Sequence, residues 1–423
     1  MLPGDARLSP LEHMGDRRKN RLLVVCQVYP PDPAAVGQYV ADVCEAVAAR
    51  GWDVVVYTAS RGYDDPSQRY PASETRHGVT IRRLPFSSFG KRSIPIRLVA
   101  QVLFVLQACI RAMFAGRFTS LLVSTSPPFA GFCGALLSKA KRAPLTWWVM
   151  DLNPDQMIAA GKLSPQALLA RVFDWMNRVT LRQARAAIVL DRYMNARLVA
   201  KLPYSPAIQT KVHVMPPWSL DTHLRSSPEQ SKAFRVRHGV DDAFVVMYAG
   251  NHSDHNPLDT LLAAADALAE RNDMRFVFVG GGSGKQGVEQ RVQAGQSNIV
   301  SLPYQPIAQL AAMLDAADLH VVTVGEAMVG IVHPCKIYSA MAVSKPILLF
   351  GPDSCHAADI LLDESAGWRI RHGDVARAVA VLQQATALPP DARMRMGARA
   401  AEIVARDFSR NALIDRFVAV LCQ

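Results

Sequence analysis

The chain predicts an α/β protein built from two doubly wound, Rossmann-like parallel-sheet domains facing one cleft. Its 423 residues, half of them hydrophobic, suffice for two domains of roughly 200 residues, each with its own core. Short apolar runs of strand length alternate with helical patterns, the signature of strand–helix–strand units and a parallel sheet. The plan occurs twice, with a join at Met215-Pro216-Pro217-Trp218.

In the first half, Arg21–Val28 reads as a buried strand around the apolar run Leu22–Cys26. A helix over Gly37–Arg50 follows and stops at Gly51. Asp53–Tyr57, Val79–Leu84, Ser120–Val123, Leu145–Val149 and Ala186–Leu190 are the next strands. In the second half the strands are Ala243–Ala249, Arg275–Val279, Ile299–Leu302, Leu319–Val324, Pro346–Phe350 and Trp368–Ile370, with helices such as Pro257–Glu270 between them. The domains are therefore expected at 21–214 and 215–405. Residues 1–20 carry Arg17-Arg18-Lys19 without an apolar segment, and are expected to be a mobile tail rather than a signal peptide.

Charge is uneven. Residues 1–210 hold 27 lysines and arginines against 14 acids, while the remainder is −2 in a chain of net charge +11. A basic first half implies an anionic partner such as a phospholipid surface or a phosphorylated acceptor. Nucleic acid is disfavoured, because no row of aromatic stacking platforms accompanies the charge. The seven cysteines are scattered, with no C-x-x-C pair, which points to a reducing cytoplasm. The segment Ile96–Phe114 is amphipathic. Arg97, Gln101, Gln107 and Arg111 share one arc, opposite Leu98, Val102, Val105, Leu106, Cys109 and Met113. Its apolar face is expected to pack on the first sheet, or, behind the basic lead-in Lys91-Arg92, to touch a bilayer. A polar stripe of this kind argues against a spanning helix.

The chemistry concentrates in GEAMVGIVHPCKIYSAMAVSKPI, residues 325–347. A small-residue loop around Gly330 runs into a helix near Pro334–Lys336, where backbone N–H groups and the Lys336 cation can meet phosphate oxygens. Val279-Gly280-Gly281-Gly282-Ser283-Gly284-Lys285 resembles a P-loop but fails it, since Val279 takes the first glycine's place and Gln286 follows the lysine.

Val332-His333-Pro334-Cys335-Lys336 with Ser344-Lys345-Pro346 resembles the donor-binding segment of glycosyltransferase family 4, in the branch that builds bacterial surface polysaccharides. The resemblance spans Leu22 to about Leu421. It implies a GT-B fold, a last helix at 408–421 crossing back to the first domain, and sugar transfer with retention from a nucleotide-diphosphate sugar, UDP- or GDP-linked. The acceptor implied is a lipid-linked saccharide hydroxyl, reached from the inner face of the cytoplasmic membrane, in exopolysaccharide, O-antigen or capsule synthesis. No cofactor or metal is implied. The donor would meet Gly250, Asn251 and His252 at one strand end, Gly280, Gly281 and Gly282 at the next, Pro303, Tyr304 and Gln305 at the base, and Gly330, Ile331, Val332 and Ser339 beyond. Ser339 stands where the family usually has a ribose-binding glutamate. Glu326 lies close to the position of the family's other glutamate. On the first domain, Tyr29, Ser126, Asn153 and Asp155 would face the acceptor. The catalytic candidates are Gly37, Lys336, Glu326 and Asp151: amide and cation donors for the leaving pyrophosphate, a hydroxyl-holding acid and an acceptor-side acid. No protein nucleophile is required. A nucleotide-sugar 2-epimerase of the same fold and a noncatalytic nucleotide-sugar-binding subunit remain as alternatives.

Overall fold

The computed structural model describes residues 20–63, 65–88, 94–219, 226–253, 255–361 and 365–423. The predicted N-terminal tail and the Lys91-Arg92 lead-in lie outside these.

The first sheet comprises β1 (Arg21–Val25), β2 (Asp53–Ala59), β3 (Ser73–Arg76), β4 (Val79–Leu84), β5 (Ser120–Ser124), β6 (Leu145–Val149), β7 (Ala186–Val189) and β8 (Val212–Val214), in the order β3-β4-β2-β1-β5-β6-β7-β8. Only β3 runs antiparallel, at the edge against β4. Val24 at the centre faces Val56 on one side and Leu122 on the other. Helices cover both faces, so the central strands β1, β5 and β6 are buried almost throughout.

The second sheet comprises β9 (Phe244–Ala249), β10 (Met274–Val279), β11 (Ile299–Leu302), β12 (Leu319–Thr323), β13 (Ile347–Phe350) and β14 (Gly367–Ile370). Its order is β11-β10-β9-β12-β13-β14, parallel throughout. In both sheets the winding reverses beside the first strand, β1 or β9. That switch point opens a crevice at the carboxyl ends of the strands.

Two strands were not legible in advance. β3 is the polar run SETR, held by pairing with β4 alone, and β8 is three residues long. β1 ends at Val25, because Gln27 N–H turns away to the Ser126 carbonyl, 2.9 Å off. The domain join also moves. Trp218 is buried in the first core, donates its indole N–H to Asp42 at 2.7 Å and packs edge-on to Tyr39. Residues 215–219 thus belong to the first domain. The C-terminal helix Arg410–Leu421 packs on that domain: Phe417 lies on Trp148 at 4.3 Å, and Arg185 donates to the Val420 carbonyl at 2.6 Å.

The helix Ile94–Phe114 sits the other way round from expectation. Ala100, Phe104, Val105, Ala108 and Ala112 turn inward. The face predicted to pack is largely outside: Leu98, Val102, Leu106 and Met113 are 41–53% exposed, with Val99, Ile110 and Phe114 beside them. Alanines let the helix approach its neighbours closely, so the row of small side chains wins the inward position. The stretch Ile96–Phe114 is long and apolar enough to cross a membrane by length and hydropathy, with 28% of it buried.

Candidate active site

The second-domain half of the site is built on the strand-end turns that follow β9 and β10. The glycines at the ends of β9 and β10 adopt backbone angles that side chains resist: φ is +136° at Gly250, +128° at Gly280 and +134° at Gly282. A Cβ at Gly280 would sit 2.1 Å from the Gly250 carbonyl oxygen, and one at Gly282 would sit 2.3 Å from that of His252. The two turns can touch only as glycines. His252 N–H donates to the Gly281 carbonyl at 2.9 Å, closing the pair. Lys285, which a P-loop reading would have aimed at phosphate, instead ties the Gly280 and Leu302 carbonyls at 2.5 and 2.6 Å.

His252 is corrected by its burial. Its ring is wholly enclosed against Tyr248 and Phe278, with Nδ1 3.0 Å from the Gly250 carbonyl. Burial, then the Lys285 and Lys336 charges, push its pKa down to about 4, so it is neutral and supports the turn from behind. Asn251 also serves the turn: its carbonyl accepts from the Tyr248 hydroxyl at 2.8 Å, and its side-chain oxygen lies against Gly282.

Beside these turns lies a cavity of about 200 Å³. Five of the candidate residues, Gly250, Tyr304, Gln305, Lys336 and Ser339, line it. Leu310, Met313 and Leu314 from the helix Ile307–Asp315 form an apolar wall that sequence reading missed. The periodicity of that helix was the available signal. Gly280, Gly281, Gly282, Pro303 and Tyr304 border a second, open cavity of about 430 Å³. Tyr304 is shared by both and stands exposed between them.

Lys336 is the cation of this half. It is partly buried, with Nζ donating to the Tyr248 hydroxyl at 2.6 Å and lying 4.0 Å from the centre of that ring. Among the described residues it has no carboxylate partner. Desolvation pushes its pKa down to about 7. The helix it begins, Lys336–Ala342, is only seven residues long, so the side chain carries the charge. Glu326 is exposed at the start of the turn Glu326–Met328 that follows β12.

The loop after that turn departs from expectation. Gly330, at φ +70°, does not approach the cavity; a Cβ there would lie 2.6 Å from the Tyr193 backbone of the first domain. Ile331 N–H is already given to Met328 O at 3.0 Å, and Val332 N–H to the same oxygen at 3.3 Å. Neither amide is free for a phosphate.

The first-domain candidates divide similarly. Gly37 N–H donates to Ala34 O at 3.0 Å, and its Cα packs so tightly under Tyr29 that a Cβ would be 3.0 Å from that backbone. It closes the loop onto the helix Ala35–Ala49 instead of offering a free amide. Tyr29 is buried in the core and does not face the cleft. Asp155 pairs with Lys201 at 2.6 Å, and Asn153 spans to Gln156 at 3.3 Å. Ser126, partly buried, uses its carbonyl to hold Gln27. Asp151 stands apart. Its backbone N–H is held by Thr125, while among the described residues its carboxylate has no hydrogen-bond or ion-pair partner. Desolvation pushes its pKa up to about 6, and its charge reaches the Cys335 thiol beside Lys336. An unpartnered acid on the first domain thus faces the lysine loop of the second.

Sequence reading also missed a buried polar run joining the domains. Asp191 accepts from Met194 N–H at 2.8 Å and meets His333 at 2.9 Å; His333 meets Tyr338 at 2.7 Å, and Tyr338 meets His356 at 2.9 Å.

Two doubly wound sheets joined by a crossing helix, with a glycine-lined cavity at the strand ends of the second, make a GT-B fold. Residues 34–218 match the family described as glycosyl transferase 4-like domain, and residues 243–386 the one described as glycosyl transferases group 1. The chain is a glycosyltransferase of the group 1 type. WcaI of Escherichia coli (strain K12), named for colanic acid biosynthesis, is 25% identical over 342 residues, 76% of this chain and 81% of WcaI. A D-inositol 3-phosphate glycosyltransferase of Segniliparus rotundus is 26% identical over 68% of this chain and 64% of its own length. Among solved structures, sucrose-phosphate synthase of Thermosynechococcus elongatus superposes with a TM-score of 0.75 at 17% identity, covering 95% of this chain and 98% of the other. HepE of Anabaena, in complex with UDP-glucose, superposes with a TM-score of 0.67 at 16% identity, covering 95% and 99%.

Proposed function

We infer that this protein transfers a sugar, with retention, from a nucleotide-diphosphate sugar to a saccharide acceptor carried on lipid, in surface-polysaccharide assembly. The observation that carries the reading is Lys336: a partly buried ammonium with no carboxylate partner among the described residues, beside a cavity with one apolar wall. Such a cation is suited to a polyanion that arrives with an apolar-faced ring, as a nucleoside diphosphate does. The base would enter the 200 Å³ cavity, with Tyr304 at its mouth and Ser339 toward the ribose. Charge developing on the leaving diphosphate would then be met by Lys336. Asp151, raised toward neutrality by burial, would hold the acceptor hydroxyl from the opposite side. The UDP-glucose complex of HepE and the colanic acid role in the WcaI name support the donor class and the pathway class.

The outward stripe Leu98, Val102, Leu106, Ile110 and Met113 supports a peripheral seat on an anionic bilayer, at the cytoplasmic face. It lies on the basic half of the chain, and an apolar face with cationic surroundings binds such interfaces.

The test incubates the protein with a panel of UDP- and GDP-sugars and a lipid-linked saccharide extract, with and without EDTA. A glycosylated lipid whose new linkage keeps the donor's anomeric configuration is expected, in both conditions. An inverted linkage, or free epimerised sugar without acceptor, would replace this reading.

A further inference from the structure

Residues 324–335 follow a strand of the second sheet, yet several of their fixed points lie on the first domain. The Ile331 carbonyl accepts from Leu152 N–H at 3.0 Å, and the Val329 carbonyl from Arg197 at 2.6 Å. Gly330 is pressed against the Tyr193 backbone. His333 adds a side-chain tie. Its Nδ1 lies 2.9 Å from Asp191 Oδ2, with side chains only 1% and 3% exposed. Asp191 is itself fixed as the N-cap of the helix Arg192–Val199, accepting from Met194 N–H at 2.8 Å.

The tie continues into the helix that carries Lys336. His333 Nε2 is 2.7 Å from the Tyr338 hydroxyl, which is 2.9 Å from His356 Nε2. Both charge states of His333 satisfy this run. With His333 neutral, Nδ1–H donates to Asp191, Tyr338 O–H donates to His333, and His356 N–H donates to Tyr338. With His333 protonated, both of its N–H groups donate and the Tyr338 hydroxyl donates to His356 Nε2, that ring then carrying its proton on Nδ1. A buried carboxylate is costly to leave without its partner, so Asp191, whose other oxygen takes only Met194 N–H among the described residues, favours the conformation in which His333 is docked.

We propose that Asp191 and His333 are paired positioning residues, which seat the loop bearing Lys336 on the first domain so that domain closure and placement of the lysine are one event. Neither lines the donor cavity; they act through the loop and through Tyr338. The kinetic part rests on the transferase reading above, whereas the docking itself does not.

Hydrogen exchange of the amides in residues 326–335, on the full chain without substrate, tests the docking directly. His333→Ala and Asp191→Ala are each expected to speed that exchange by about tenfold or more. The double variant should be no faster than either single one, because the partners act as a unit. His333→Asn, which can still donate to Asp191, should restore most of the protection. In turnover, the single variants should lower kcat roughly 10–100-fold while the Kd for UDP or GDP moves less than about threefold. Unchanged exchange in both single variants, or additive effects in the double, would overturn the proposal even if transfer is confirmed. Loss of exchange protection throughout the chain in the alanine variants, with no recovery in His333→Asn, would also overturn it in favour of a purely structural pair. If no nucleotide-sugar is turned over, the exchange result still decides the docking.

Discussion

The ammonium of Lys336 sits on Tyr248, 2.6 Å from its hydroxyl and 4.0 Å from its ring centre. The two residues are 88 positions apart, at the start of one helix and near the end of β9. Both are desolvated by their surroundings: burial lowers the lysine pKa to about 7 and raises that of the tyrosine. The tyrosine therefore offers the lysine a neutral resting place, with no competing carboxylate among the described residues.

Lys336→Ala should reduce turnover by roughly 10- to 1000-fold, the range expected when one preorganised donor to a developing anion is lost. The melting temperature should be unchanged or higher, since a buried amine is removed. Near-normal kcat in the folded variant would end the role assigned to this residue.

Nucleotide binding should take up a proton. The free lysine has a pKa of about 7, and an adjacent diphosphate favours its charged form and raises that value. At pH 8 the empty site is largely neutral and the filled site charged, so affinity weakens as pH rises above 7. The same depression sets the sign for stability. Between pH 7 and the ordinary lysine value of about 10.4 the unfolded chain holds more protons, so this residue's contribution to stability rises with pH across that window. Calorimetry of UDP and GDP binding in buffers of different ionisation heat should register uptake of up to one proton; none, or release, would contradict the mechanism.

Gly280→Ala should abolish donor binding more severely than its added methyl group suggests. Its Cβ would lie 2.1 Å from the Gly250 carbonyl oxygen, at φ +128°. Backbone strain of that kind typically costs about 1–3 kcal/mol before the clash is counted. The β9 and β10 turns would separate, and Lys336, resting over Gly250, would move with them. Thermal-shift measurements should show the nucleotide-induced stabilisation lost; retention of the full shift would show that the turns do not build the site.

Replacing Leu106 and Ile110 by Gln should weaken sedimentation with anionic vesicles without changing nucleotide affinity. These side chains are 53% and 49% exposed and face away from the first core. The association should also fall as salt is raised, since surface attraction decays over a Debye length of about 8 Å at physiological ionic strength. Equal binding of wild type and variant to acidic vesicles would remove the bilayer contact and leave the transferase untouched.

By itself the sequence determined most of the architecture. Short apolar runs such as LLVV and ILLF read as strands covered on both faces, and their alternation with helices points to two wound sheets. The strand-end glycines were legible for a local reason too, because a tight turn with φ near +130° favours Gly at that position. Lys336 stood out as a cation at a loop-to-helix step. Tertiary structure decided the rest. Which side of Ile94–Phe114 turns inward depends on the surface it must fit, and a row of alanines fits closer than the larger apolar arc that periodicity selects. Whether the Gly37 and Ile331 amides are free depends on neighbours that take those hydrogen bonds first. Asp191 and His333 lie 142 residues apart in different domains. No periodicity links them, because a hydrogen bond across a domain interface is set by how two finished surfaces dock.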